Sequence, residues 1–171
     1  HKEAVSEDEY FRMIQAKTAA LFETSARCGG ILGGAKKSQV ERLGRYGHYA
    51  GVAFQLIDDV LGLTANEKAL GKPVGSDIRE GKRTLMIVHA LKHASENQRK
   101  KIFEILGNRS ASPQRIRETI DLVSSLGSIN YAEEKAKGYI EKSKKALASL
   151  PATEDKEDLI SLADLVFARK Y

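Results

Sequence analysis

Two adjacent carboxylates, Asp58 and Asp59, lie inside the apolar run Phe54-Gln55-Leu56-Ile57-Asp58-Asp59-Val60-Leu61. Aliphatic neighbours on both sides predict a largely buried segment. A carboxylate buried without a partner is costly, so something positive is expected to face the pair. A structural lysine or arginine, a helix N-terminus, or a divalent metal held by hard oxygen ligands would each meet that demand. Taken alone, an Asp-Asp pair is more often a structural ion pair than a metal site. Downstream, however, Lys72, Asp77, Arg79 and Lys82 follow in a glycine-punctuated stretch whose cations and adaptable backbone suit a phosphate-rich ligand. Magnesium keeps several waters and takes one or two carboxylates plus phosphate oxygens, so the pair beside this stretch points to a metal-diphosphate site. Upstream, Lys17-Thr18 adds a cation and a hydroxyl, although a single helix lysine is more often a solvated charge.

The elements that must carry these residues read as helices. Ser6 and Glu9 have capping-box spacing, so a helix is expected from about Glu7 towards Gly29 and Gly30, with Lys17 and Thr18 in its middle. After Gly33 and Gly34, a long periodic stretch over about 38–63 offers Leu43, Tyr46, Ala50, Ala53, Phe54, Ile57 and Leu61 for packing. Leu70-Gly71-Lys72-Pro73-Val74-Gly75-Ser76-Asp77 then reads as a loop, because two glycines and a proline suit neither a helix nor a central strand. A third helix is expected from Thr84, a fourth from Ser95 to Gly107, and a fifth from Ser112-Pro113 with Ile116, Ile120 and Val123 on one face. Ala136, Ile140 and Leu147, then Leu159, Leu162, Ala163 and Val166, mark two further helices that offer packing faces and no clustered chemistry.

Composition agrees with an all-α class: 171 residues hold only three prolines and 6% aromatics, and 42% are apolar, enough for one core. No composition shift or linker divides the chain, which is expected to form one domain over 1–171. The single cysteine, Cys28, can form neither an internal disulfide nor a thiolate metal site, which fits a reducing, cytoplasmic setting. No apolar run is long enough to predict membrane insertion. The net charge of +5 is spread along the chain, so a solvated surface accounts for it better than a polyanion-binding stripe.

Three segments, in this order, resemble a known family. Lys17-Thr18-Ala19-Ala20-Leu21-Phe22 is similar to the lysine-threonine helix of trans-prenyl diphosphate synthases, and Phe54 to Asp59 followed by Leu70 to Leu85 closely resembles their second aspartate-rich region. The wording Asp-Asp-Val-Leu-Gly-Leu is similar to archaeal short-chain enzymes of the geranylgeranyl diphosphate type. Beyond Leu85 the resemblance rests on the helical pattern alone.

The resemblance implies a helical bundle of the isoprenoid synthase type around a deep apolar cavity, with two aspartate-rich motifs holding Mg2+ against an allylic diphosphate. The metals draw off the diphosphate, isopentenyl diphosphate attacks the resulting allylic cation, and loss of a proton leaves a chain five carbons longer. Carried over by position, Asp58 is a metal ligand and Asp59 a hydrogen-bonded or water-mediated support in the same metal site. Gln55, with Phe54 beside it, stands near the reacting allylic carbons. Lys17, Lys72 and Lys82 hold the allylic diphosphate, Thr18 lies near the developing cation, and Asp77 orients a lysine or a metal-bound water. The family's third aspartate falls at Gly62, which predicts weaker metal support.

The resemblance also places the first aspartate-rich motif and the isopentenyl diphosphate site upstream of residue 1. The chain is therefore expected to be the C-terminal part of a longer enzyme, inactive without the missing N-terminal half, with a homodimer expected in the parent. A rival from another class is a catalytically inactive partner that regulates a full-length synthase; the set Lys17, Gln55, Asp58 and Lys72 argues against a pure scaffold. A nucleic-acid-binding module, prompted by a pI of about 9.2, lacks a helix face with clustered Arg, Lys and Asn.

Overall fold

The computed structural model of the chain describes residues 5–65 and 74–168, and the regular structure among them is helical, without strands. Helix α1 (Glu7–Ile14) starts at the expected box: Ser6 N–H donates to Glu9 Oε2 at 2.7 Å, and Glu9 N–H donates to Ser6 Oγ at 3.2 Å. The expected uninterrupted first helix is corrected at one point. Gln15–Ala19 forms a π-helical turn before α2 (Ala20–Leu32) resumes, with Ala20 N–H donating to Gln15 O. Helix α3 (Lys37–Thr64) is the long second helix.

A second correction concerns the stretch read as a loop. Its residues 70–73, Lys72 among them, lie outside the described residues, but Ser76–Arg79 forms a single helical turn, α4. Gly75 makes the turn possible: its φ of +74° is one that side-chain-bearing residues rarely adopt, and a Cβ there would stand 2.4 Å from Ile116 Cγ2. The Gly75 carbonyl accepts from Ile78 and Arg79 N–H, starting the turn that carries Asp77. Helices α5 (Leu85–His93), α6 (Glu96–Ile105) and α7 (Pro113–Ser125) follow as expected. Ser95 and Gln98 complete a capping box, and Ser112 caps a helix whose first residue is a proline. Helices α8 (Ser128–Ala146) and α9 (Glu154–Ala168) end the described chain.

The contacts group into two compact units. One comprises the described residues of His1–Tyr10 and Asp58–Glu133, the other Phe11–Ile57 and the described residues from Glu134 on; α1, α3 and α8 contribute to both. In the first, Ile78, Leu85, Met86, Ile102, Ile116 and Val123 are buried, with α7 packed on α5 and α6. In the second, Tyr46, Ala53, Ile140, Leu147, Ala163 and Val166 form the core. Leu162, expected to pack, is 52% exposed, because α9 buries only a narrow stripe through Ala163 and Val166. No helix among the described residues is long and apolar enough to cross a membrane.

Candidate active-site residues

In the unit that contains Phe11–Ile57, α2 lies close against α3. Gly44, Gly47 and Gly51 recur at helical spacing on α3, and a Cβ at Gly47 would stand 2.4 Å from Phe22 O and one at Gly51 2.7 Å from Ala19 Cα. These glycines let the two backbones approach, and Phe22 packs on Phe54 with ring centroids 5.2 Å apart. The π turn falls on Lys17 and Thr18. One extra residue in a turn rotates the downstream helix face by roughly 100° relative to a continuous α-helix. Thr18 Oγ1 donates to Gln55 Oε1 at 2.7 Å, so two residues singled out separately from the sequence meet. Lys17 is exposed, and Phe54 and Gln55 are partly buried.

In the other unit, the two aspartates at the end of α3 meet different surroundings. Asp59 is 8% exposed, and its Oδ2 accepts from the Tyr10 hydroxyl at 2.7 Å. Tyr10 is 1% exposed. Burial first, then the charge and hydrogen bond of Asp59 and the charges of Asp58 and Asp77, push its hydroxyl far above the usual tyrosine range, so it remains a proton donor. Asp58 is partly buried and makes no hydrogen bond or ion pair with another described residue. Asp77 is buried on α4, and its Oδ1 accepts from Lys82 Nζ at 2.7 Å; Lys82 also pairs with Glu80 at 2.9 Å. These hydrogen bonds to Asp77 and Glu80 raise the Lys82 pKa despite partial burial, which fixes the charge on the amine. Asp77 is thus positioned to orient a lysine. A Cβ at Gly62 would stand 3.1 Å from Asp77 Oδ2, so the glycine leaves room for that carboxylate beside α3.

The donor set bears on the cation expected here. Among the described residues no group of three or more His, Cys, Asp or Glu side chains is arranged to hold a metal alone. Asp58, which makes no hydrogen bond or ion pair with another described residue, is a hard oxygen donor of the type that magnesium takes one or two of, filling the rest of its shell with waters and phosphate oxygens. A cavity of ≈ 230 Å³ elsewhere, between α3 and α8, is lined by Arg42, Arg45, Tyr49, Lys142, Lys145 and Ala146 and contains none of these residues. Tyr10 and the glycine stripe are absent from the sequence-based set. The recurrence of glycine at 44, 47 and 51 within a helical pattern was a readable signal, whereas an aromatic residue in the second turn of an amphipathic helix looks like any core position.

The polyprenyl synthetase family model matches residues 1–123. The chain is 40% identical over 167 residues to the short chain isoprenyl diphosphate synthase of Methanothermobacter thermautotrophicus, covering 98% of this chain and 51% of that protein. The crystal structure of geranylgeranyl pyrophosphate synthetase from Pyrococcus horikoshii matches with a TM-score of 0.90 and 44% identity, over 99% of this chain and 51% of its own. Geranylgeranyl pyrophosphate synthase from Corynebacterium glutamicum, solved in complex with isoprenyl diphosphate and magnesium, matches with a TM-score of 0.91 and 29% identity, over 97% of this chain and 48% of its own. The chain thus spans about half the length of each of these relatives. On the family match and on this likeness in sequence and in helical architecture, the chain belongs to the polyprenyl synthetase family and has the helical isoprenoid synthase fold.

Proposed function

We propose that the protein to which this chain contributes is a magnesium-dependent trans-prenyltransferase that condenses isopentenyl diphosphate with an allylic diphosphate, and that this chain carries one of its two metal half-sites. The carbon-oxygen bond of the allylic diphosphate breaks, a carbon-carbon bond forms to the terminal alkene carbon of isopentenyl diphosphate, and a proton is lost. The products are inorganic diphosphate and a prenyl diphosphate five carbons longer. Asp58 carries the proposal: a partly buried carboxylate, tied to no other described residue, next to an aspartate that is buried and hydrogen-bonded.

Magnesium, when bound, supplies the positive charge that neutralises the departing diphosphate. Asp58 is the residue here that would hold it, with Asp59, buried and bonded to the Tyr10 hydroxyl, as its support. Lys82, its charge fixed by Asp77 and Glu80, supplies a further cation for diphosphate oxygens, and Lys17 joins the reading by motif alone. Lys72 belongs to the same reading by motif. The hydrogen bond from Thr18 to Gln55 holds two polar side chains in one arrangement, and such fixed dipoles stabilise a developing charge without reorganising. The magnesium and isoprenyl diphosphate in the Corynebacterium glutamicum structure support this choice of metal and substrate class. The full gene product, given labelled isopentenyl diphosphate with dimethylallyl, geranyl or farnesyl diphosphate, is expected to form labelled prenyl product. Chelation with EDTA should stop incorporation and added magnesium restore it; incorporation unchanged by chelation would contradict the metal-dependent mechanism.

A further inference from the structure

We infer that Tyr10 is a positioning residue for the metal half-site, acting through Asp59, an inference that rests on the prenyltransferase reading above. Its hydroxyl is almost wholly buried and donates to Asp59 Oδ2 at 2.7 Å, across 49 residues of sequence. A buried carboxylate needs a donor to keep its charge, and a neutral phenol provides one without adding a positive charge that would repel a cation. An arginine or lysine in the same place would hold Asp59 equally well and cancel its negative charge. Tyr10 instead fixes one of the Asp59 oxygens in direction and adds no positive charge of its own beside Asp58. Asp59 thereby supports cation binding at Asp58 from a defined position, and Tyr10 sets that position.

The test is a double-mutant cycle of Tyr10→Phe and Asp59→Asn in the full gene product, read as the affinity for Mn2+ in the presence of inorganic diphosphate. Thermal unfolding is followed in parallel. Removing a group that orients a metal ligand commonly weakens metal binding about 10- to 100-fold, and Tyr10→Phe is expected to fall near the lower end. Asp59→Asn should weaken it at least as much, and the double variant no more than the stronger single one. Tyr46→Phe, which removes another buried tyrosine hydroxyl, here bonded to the Leu159 carbonyl, is expected to lower stability while leaving Mn2+ affinity unchanged. Unchanged Mn2+ affinity in Tyr10→Phe, or additive losses in the cycle, would overturn the inference. Should Tyr10→Phe fail to fold, Asp59→Asn, which keeps an acceptor for the phenol, decides: wild-type Mn2+ affinity there would also overturn it. Because the readout is equilibrium binding, it judges Tyr10 whether or not product forms, while label incorporation by the wild type judges the prenyltransferase reading separately.

Discussion

Asp58 and Asp59 are neighbours in sequence and opposites in environment. Asp59 is buried under the Tyr10 hydroxyl, whereas Asp58 is tied to no other described residue. Under the proposed function, Asp58→Asn should lower the rate of label incorporation by about 100-fold or more, since it removes the charge expected to hold the metal. Its melting temperature should stay close to wild type, because the amide is isosteric and loses no hydrogen bond to another described residue. A second expectation concerns Tyr46, whose hydroxyl donates to Leu159 O at 2.8 Å and is pushed by burial from 10.0 up to about 12. The unfolded chain releases this proton near pH 10 and the folded one later, so the contribution is complete below about pH 10 and fades as the pH rises towards about 12. Denaturation midpoints of wild type and Tyr46→Phe, measured from pH 8 to pH 11.5, should therefore converge at the alkaline end. At this scale, Asp58 was singled out because a carboxylate pair is unusual in an apolar helical run, whereas Gln55 and Thr18 were singled out through the family resemblance. Tyr10 was not: its role is set by an aspartate 49 residues away, which no local pattern encodes.

At the scale of elements, the helix starts were written in local chemistry. The boxes at Ser6 and Ser95 and the Ser112-Pro113 start are made by residues within three positions of one another, so the sequence holds all of their information. The π turn over Gln15–Ala19 was not readable, because one added residue leaves the composition and nearly all of the periodicity unchanged. The turn at Ser76–Arg79 was hidden for the opposite reason: glycines and a proline dominate its surroundings and mask the one short helix that Gly75 starts. The approach of α2 to α3 yields a mutational test. Gly51→Ala places a Cβ within 2.7 Å of the Ala19 backbone, which cannot yield as a flexible side chain would. The variant is expected to lose about 1–3 kcal/mol of stability by denaturant titration, as overpacked interiors do. Because the displaced backbone adjoins Thr18, its hydrogen bond to Gln55 should also be strained, and residual activity at a temperature where the variant stays folded should fall.

At the scale of the whole molecule, the chain spans about half the length of its relatives. Its candidate chemistry is correspondingly one-sided: acidic groups at the end of α3 and cations nearby in sequence, with no carboxylate cluster that would hold a metal alone among the described residues. The all-helical class was legible from composition and periodicity because each helix is amphipathic over its own length. No linker in the sequence marks the two compact units, because α1, α3 and α8 each contribute to both. The central claim, that this chain is one half-site of a prenyltransferase, is tested most directly by incorporation of labelled isopentenyl diphosphate. The full gene product and the 171-residue chain would be assayed side by side with the same allylic primers and magnesium. The predicted result is extension by the full product and none by the 171-residue chain; extension by neither, with both folded, would contradict the claim.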